Sequence, residues 1–393
     1  MLLTSTISSA GQLEEPNMSN GSNTRLIAII FIVIIIVAGG AIAAWWFLVP
    51  KEAPPNPDDV AIVFATGRLG DKSFNDGCYQ GAVDAVNDFD ISFTFVEPDE
   101  IAQYEPFLRQ YAAHLPWADP YDVIISVGFD QADAVMAVAE DYPDQAFAIV
   151  DMFIDPATYP NVASLLFAAG EGSALVGAIA GTVTTQDKIG FVGGMDIPLI
   201  REFAAGYFWG ANFSNPTFAL DNETGSADFV HTYVGAWDNP TLGESLADGI
   251  YTGGSDIIFA AAGKSGLGVI DSAVKQNATP LAYPVWAIGV DSPQMFLGTD
   301  DPDNPVAPTV VFTSMLKRVD LACYWVIEAA SVTGTPLTGL QFHNLANGGV
   351  GWEDNETLLG WTWPTATRDI LEDLTEGITN GTYLVPIDFP WLG

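Results

Sequence analysis

The chain has 393 residues, of which 12 are Lys or Arg and 49 are Asp or Glu, so its formal net charge is −37. This excess of acid excludes a nucleic-acid partner, because phosphate contacts require a basic footprint, and it disfavours binding along an anionic membrane surface. Hydrophobic residues make up 49% of the chain, which suffices for a buried core and argues against disorder.

The first 58 positions have the composition of a membrane anchor and its flanks. Residues 26–49 carry no charge and are rich in Ile, Val, Ala and Leu, and at about 1.5 Å of helix per residue they are long enough for a bilayer core of about 30 Å. We therefore expect a disordered cytoplasmic tail in residues 1–25, a transmembrane anchor in 26–49 and a Pro-rich linker in 50–58, with the remainder outside the cell. A cleaved signal peptide is the alternative, with 41–43 as its cleavage box.

Strand and helix patterns alternate from residue 59 onward, which is typical of βαβ units and a parallel sheet. The alternation restarts after Gly170, so we expect two lobes of similar architecture. The predicted strands are 60–65, 91–96, 123–127, 147–151, 162–167, 189–193, 230–234, 256–261, 285–290 and 306–316. The predicted helices are 73–86, 101–114, 132–141, 171–184, 199–212, 242–251, 267–276 and 319–330.

The loop after the first predicted strand is the most informative stretch. Its residues 70–76 read Gly-Asp-Lys-Ser-Phe-Asn-Asp, which places two carboxylates, an amide, a hydroxyl and an aromatic ring in seven positions. The carboxyl ends of parallel strands are where open α/β sheets bind ligands. The alternative is that Ser73 or Asn75 only caps the following helix and that the rest is solvated.

Other strand ends also carry polar or glycine residues. Asp151 and Asp291 each follow an apolar run, where a carboxylate can accept a hydrogen bond from a ligand or cap a helix. The turn 263–266, Gly-Lys-Ser-Gly, lacks the spacing of a phosphate-binding loop, so we expect a tight turn whose backbone N–H groups can meet a ligand.

The sequence offers little for catalysis. Its three histidines are isolated from one another, and neither a nucleophile elbow nor a dinucleotide fingerprint is present. We therefore expect no catalytic residue, no cofactor and no metal site. Cys78 and Cys323 are too few for a disulfide framework, although they could pair if their two predicted helices are neighbours.

The loop 70–76 and the Gly-Ala helix behind it resemble the basic membrane protein family, the nucleoside-binding receptors of ABC transporters. Further matches follow in the same order along the chain, so the resemblance covers about residues 60 to 320. They are Phe147–Asp151, Glu171–Gly177, Ile189–Gly194 with Pro198 and Phe203, Ile257–Phe259 leading to Gly263, Gly289–Asp291 and Thr313–Asp320.

The resemblance implies a type I periplasmic-binding-protein fold, in which two doubly wound parallel-sheet lobes are joined by a hinge of three chain crossings. We assign residues 59–165 and 295–335 to the first lobe and residues 166–294 and 336–360 to the second. The implied function is capture of a small ligand, most simply a purine nucleoside, by a monomer that delivers it to an ABC permease. The alternatives are a sensing receptor that acts through a separate partner and a surface nucleosidase.

The resemblance also implies roles for individual residues. Aromatic rings from the two lobes would enclose a flat base, a carboxylate would accept from the purine N–H edge, and a second carboxylate with a lysine would bind the ribose. The rings are Phe74 and Phe259, with Trp237 as a further candidate; the base carboxylate is Asp151; the ribose pair is Asp291 and Lys317; and Asn75 and Gly263 complete the site.

Two departures from the family pattern are visible. The family often has a Thr-Asp pair at the end of the first strand, whereas this chain has Ala65-Thr66, so a carboxylate is missing there. No cysteine lies near the end of segment 26–49, so the lipid attachment usual in the family is absent and the helix would have to replace it.

Overall fold

The computed structural model describes residues 56–278 and 283–393. The predicted cytoplasmic tail, the predicted transmembrane anchor and most of the predicted linker lie outside the described residues. Within the part of the chain that is described, no helix is both long enough and apolar enough to cross a membrane.

The elements alternate between strand and helix, as the sequence predicts. The strands are β1 (Val60–Val63), β2 (Phe93–Val96), β3 (Val123–Ser126), β4 (Phe147–Val150), β5 (Val162–Phe167), β6 (Ile189–Gly193), β7 (Phe229–Tyr233), β8 (Ile257–Ala261), β9 (Trp286–Asp291), β10 (Val311–Lys317), β11 (Gly339–His343) and β12 (Val350–Trp352). The helices are α1 (Phe74–Phe89), α2 (Tyr104–Ala112), α3 (Ala132–Asp141), α4 (Ala169–Val183), α5 (Pro198–Ser214), α6 (Pro240–Thr252), α7 (Lys264–Ala278), α8 (Val319–Ile327), α9 (Glu356–Leu359) and α10 (Thr365–Thr379).

These strands form two six-stranded sheets, one in each lobe. The first sheet has the order β11-β5-β4-β3-β1-β2, and the second has the order β12-β10-β9-β8-β6-β7. All neighbours are parallel except β10 and β12, which are antiparallel. The expected α/β architecture of two parallel-sheet lobes is therefore confirmed.

Both faces of the central strands of the first sheet are buried, which explains the continuous apolar runs of β1, β3 and β4. On β1, Val60 and Ile62 belong to the same buried cluster as Cys78 of α1. The alternate residues of that strand, Ala61 and Val63, lie in a second cluster together with residues of α2 and α3. The period of two along a strand thus places one helical layer on each face.

The boundaries expected for the two lobes are wrong around two strands. Residues 295–335 were assigned to the first lobe, but β10 lies in the second sheet, where it pairs with β9. Residues 336–360 were assigned to the second lobe, but β11 pairs with β5 in the first sheet. An apolar strand has the same hydrophobic pattern whichever sheet it joins, so periodicity did not distinguish the two sheets.

The chain passes between the two sheets three times: from β5 to α4, from β10 to α8, and from β11 to β12. Backbone hydrogen bonds join these crossings, with the Ala168 N–H donating to the His343 carbonyl at 2.8 Å and the Arg318 N–H donating to the Gly349 carbonyl at 2.9 Å. The crossings therefore form one hydrogen-bonded hinge region.

Helices α1 and α8 pack closely in the first lobe. A Cβ atom on Gly81 would lie 2.1 Å from the backbone carbonyl oxygen of Asp320, so only glycine permits this approach. Cys78 and Cys323 lie on these helices as buried free thiols rather than as a disulfide. Burial and the hydrogen-bonded Cys323 thiol raise the pKa of Cys78.

Candidate ligand-binding cleft

A cleft lies between the carboxyl ends of the two sheets. It holds about 700 Å³ of space between atoms, part of it open to solvent. Both lobes line it through the loops that follow their strands. The lining includes seven predicted site residues, Phe74, Asn75, Asp151, Trp237, Gly263, Asp291 and Lys317.

The loop between β1 and α1 is organised by the buried carboxylate of Asp71. This carboxylate accepts backbone N–H groups of Ser73, Asn75 and Asp76 at 3.0, 2.8 and 3.1 Å. Burial raises the pKa of the Asp71 carboxyl, and these N–H groups act in the opposite direction. The Asp71 carboxylate therefore caps the free N–H groups at the start of α1, a role that the sequence suggested for Ser73 or Asn75.

Asn75 ties the same loop to the end of β1. Its side-chain Nδ2 donates to Asp71 at 3.0 Å, and its Oδ1 accepts the Ala65 N–H at 3.1 Å. Both ends of the amide are thus engaged within the first lobe. These bonds position the neighbouring Phe74, and ligand contact by Asn75, which also lines the cleft, stays a prediction.

An aromatic ring from each lobe reaches the cleft. Phe74 is half-buried at the first residue of α1. On the second lobe, the ring of Trp237 lies against the backbone of Gly194, where a Cβ atom would come within 2.2 Å of a ring carbon. Two flat surfaces therefore line one cleft from opposite lobes.

Hydrogen bonds from the segment after β8 hold the loop that carries Trp237. Gly263 has a φ of +54°, a conformation that glycine adopts without strain. Ser265 donates its backbone N–H to the Trp237 carbonyl at 3.0 Å and its hydroxyl to the Ala236 carbonyl at 2.8 Å. Gly263 forms the turn, whereas residues 264–266 already belong to α7, so the helix begins three residues earlier than predicted. The bonds of Ser265 fix the position of Trp237.

Phe259 does not line the cleft, so its predicted role as the second ring is wrong. The residue is fully buried and packs against Phe191 and Tyr207, with ring centroids 5.6 and 5.3 Å away. As a residue within β8 rather than at its end, Phe259 faces the core that α5 covers. The ring that reaches the cleft from this region is Phe203 of α5, which the sequence analysis noted in the family match but did not assign to the site.

A buried ion pair joins the two sheets at the end of the cleft. Lys317, at the end of β10, donates to the Asp151 carboxylate at 2.5 Å, and the two side chains are 3% and 5% exposed. The Lys317 ammonium also lies 5.0 Å from the ring centroid of Phe74 and 5.7 Å from that of Phe203, within range of cation–π attraction. The family resemblance implies Asp151 at the base and Lys317 at the ribose, whereas in the structure the two side chains form one ion pair.

Asp291 lies beside this pair, at the end of β9. Its carboxylate accepts the Ser73 hydroxyl at 2.6 Å across the two lobes. Burial raises the pKa of Asp291 to about 6, while the charge of Lys317 and the Ser73 hydrogen bond lower it. The neighbouring Ser292 hydroxyl donates to the Ser73 carbonyl at 3.0 Å, so the lobes are in contact at this edge.

One further carboxylate, Asp130, lines the cleft, and the sequence analysis did not assign it. It follows β3, and its Oδ2 accepts the Tyr104 hydroxyl at 3.0 Å. It lies close to Ala65, where the sequence analysis noted a missing carboxylate. The available signal was its place after a predicted strand, the same signal that identified Asp151 and Asp291.

Two lobes of parallel sheet that enclose a cleft between their strand ends define a periplasmic-binding-protein-like fold. The chain belongs to the family of PnrA-like ABC transporter substrate-binding proteins, whose family model matches residues 59–360. Within the described residues, no group of three or more His, Cys, Asp or Glu side chains is arranged to hold a metal ion.

Individual relatives agree with this assignment. The chain is 28% identical to an ABC transporter nucleoside-binding protein from Lactococcus lactis, over 83% of this chain and 88% of that protein. It is 31% identical to an uncharacterized lipoprotein from Pyrococcus horikoshii, over 75% of this chain and 68% of that protein. A solved ABC-transporter solute-binding protein from Aeropyrum pernix superposes with a TM-score of 0.69 at 28% identity, covering 84% of this chain and 94% of that one.

Proposed function

We propose that this protein captures a purine nucleoside outside the cell and delivers it to an ABC permease. The observation that carries this proposal is the combination in one cleft of an aromatic ring from each lobe, Phe74 and Trp237, with the buried polar group of Asp151, Lys317 and Asp291. A nucleoside has the same two parts, a flat base and a polar sugar.

The base would lie between the two rings, where each stacking contact contributes about 0.5–1.5 kcal/mol beyond burial. The ribose would lie at Asp291, whose carboxylate can accept hydroxyl donors in addition to Ser73. Lys317 would donate to a ribose oxygen with the capacity that its bond to Asp151 leaves, since an ammonium has three N–H donors.

Binding would favour closure of the lobes, because a ligand that contacts both lobes has its full interaction only in the closed state. The contacts of Ser73 with Asp291 and Ser292 already join the lobes directly. A bound nucleoside would add its own bridges beside them.

Membrane attachment is part of the proposal. Segment 26–49 is uncharged and long enough to span a bilayer, and it would hold the binding domain close to the permease. Fractionation of the full chain should recover it in the membrane without an acyl group. A mature protein that starts near residue 44 would show cleavage instead.

Calorimetry on the full chain in detergent tests the ligand assignment. Adenosine, guanosine or inosine should bind one to one and should raise the melting temperature with concentration, as mass action requires. Heat from a sugar or an amino acid, with none from any nucleoside, would contradict the nucleoside assignment.

We further propose that the site binds the nucleoside without cleaving it. A nucleosidase would need an acid or base beside the glycosidic bond, but Asp151 is paired with Lys317 and Asp291 is bonded to Ser73. Inosine incubated with the protein should be recovered intact. Release of free hypoxanthine in proportion to protein concentration would favour the nucleosidase.

A further inference from the structure

Asp130 is a cleft carboxylate to which the proposed function gives no role. A Cβ atom built on Gly128 would lie 3.1 Å from Asp130 Oδ1, 3.4 Å from the Ala65 side chain and 4.0 Å from Cε1 of Phe74. The carboxylate and one edge of the Phe74 ring therefore lie around the same small space. Gly128 keeps this space open because it has no side chain. Its φ of +112° is also a conformation that glycine adopts without strain.

The orientation of this carboxylate is fixed from behind. Tyr104 is fully buried, and its hydroxyl donates to Asp130 Oδ2 at 3.0 Å while accepting the Thr66 N–H at 3.1 Å. This chain of bonds runs from the end of β1 through α2 to the loop after β3. A carboxylate has about four acceptor positions, so the Tyr104 bond leaves capacity on the cleft side.

No ion pair among the described residues includes Asp130. Burial raises the pKa of its carboxyl, and the Tyr104 hydroxyl only partly opposes this. Asp151 differs, because it has the Lys317 ammonium as a partner. Asp130 is therefore a cleft carboxylate with capacity for a further donor, and a ligand can supply one.

Two polar groups of the cleft lie near Phe74. Lys317, which is paired with Asp151, is 5.0 Å from the Phe74 ring centroid, whereas Asp130 lies near the Cε1 edge of the same ring. A base stacked on Phe74, with its ribose toward Asp291, would direct its far edge toward Asp130.

We propose that Asp130 determines ligand specificity by accepting a hydrogen bond from an N–H donor on the base edge. This inference rests on the proposed nucleoside function. The ligand class that it selects is a purine nucleoside with a donor on that edge, such as the ring N–H of inosine and guanosine or the amino group of adenosine. A nucleoside whose base offers only acceptors there would leave the carboxylate desolvated and unpaired, which is unfavourable.

Calorimetry on the unchanged full chain gives the first test, and it depends on no variant. Inosine has a ring N–H, whereas purine riboside has an unsubstituted base without this donor. Inosine should bind roughly ten- to a hundredfold more tightly, as expected for a hydrogen bond to a charged group. Equal affinities would overturn the role of Asp130 while leaving nucleoside binding intact. If neither nucleoside binds, the proposed function fails, and the specificity inference fails with it.

Matched variants give the second test. Asp130→Asn should lower the preference for inosine over purine riboside to less than about threefold, because the amide can donate to the acceptor edge of purine riboside. Asp133→Asn removes an exposed carboxylate on the neighbouring helix α3 and should keep the preference. Tyr104→Phe, which removes the bond that orients Asp130, should reduce the preference by less than Asp130→Asn does. An equal loss of both ligands in Asp130→Asn would identify a structural role and overturn the proposal.

Discussion

Each lobe contributes an aromatic ring to the cleft, and the two lobes hold these rings, Phe74 and Trp237, in different ways. In the first lobe, the loop that carries Phe74 is held by hydrogen bonds to the Asp71 carboxylate and by the Asn75 amide. In the second lobe, Trp237 is held by the flat backbone of Gly194 and by the turn at Ser265. Buried polar groups fix geometry closely, so hydrogen bonds hold both rings. A carboxylate and an amide hold the Phe74 loop, whereas a serine and a close backbone contact hold Trp237.

The ion pair between Asp151 and Lys317 joins these two regions, and its loss should have the largest effect. Lys317→Met leaves the Asp151 carboxylate buried and unpaired, which should lower the free energy of unfolding by about 3–5 kcal/mol. Chemical denaturation measures this loss. Arg109→Met is the control, because its ion pairs with Glu105 and Asp141 are exposed, and it should change stability little. Equal effects of the two variants would show that the buried pair has no special role.

Two phenylalanine variants should distinguish a core ring of the second lobe from a cleft ring of the first lobe. Phe259→Ala should lower the free energy of unfolding by about 3–5 kcal/mol, since it removes a fully buried ring. Phe74→Ala should retain most of the stability but weaken the nucleoside and its free base alike, by up to about tenfold. Thermal melting and calorimetry on both variants test this contrast. Loss of binding without loss of stability in Phe259→Ala would place that ring in the site after all.

Asp291→Asn should affect the sugar more than the base. Replacing the carboxylate should weaken nucleoside binding by about 1.5–3 kcal/mol while changing the affinity for the free base little. Titrations with inosine and with hypoxanthine measure the two effects. If both affinities fall equally, Asp291 acts through its bond to Ser73, as a contact between the lobes, and does not bind the ribose.

The pH dependence should be the smallest effect, and it also arises at Asp291. The pKa of Asp291 in the folded protein, about 6, lies above its ordinary value of 3.8. Asp291 therefore contributes most to the stability of the ligand-free protein at a pH below 3.8, and this contribution is lost as the pH rises through about 6. Nucleoside affinity should change in the opposite sense and fall as the pH drops from about 7 to about 5, since the ribose hydroxyls need the carboxylate form.

Calorimetry across this pH range should give a sloping profile for the unchanged chain and a flatter one for Asp291→Asn. A profile that is flat in both would mean that the ligand does not depend on the charge of Asp291.

Local patterns in the sequence predicted the elements from β1 to α8, because each of these strands and helices carries its own periodicity, but β11, β12, α9 and α10 were not predicted. They did not predict that β10 joins the second sheet, since β-sheet partners are set by contacts distant along the chain. The same limit affected the site. Residues that end a strand, such as Asp151 and Asp291, were found at the cleft, whereas Phe259, which lies within a strand, belongs to the core. Asp130 was overlooked because no family motif marked it.

A crystal structure of the protein with inosine tests the central claim most directly. We predict the base between Phe74 and Trp237, the ribose hydroxyls at the Asp291 carboxylate, and the ring N–H toward Asp130. Inosine bound outside the cleft, or with its ribose at Asp130 and its base at Lys317, would contradict this account.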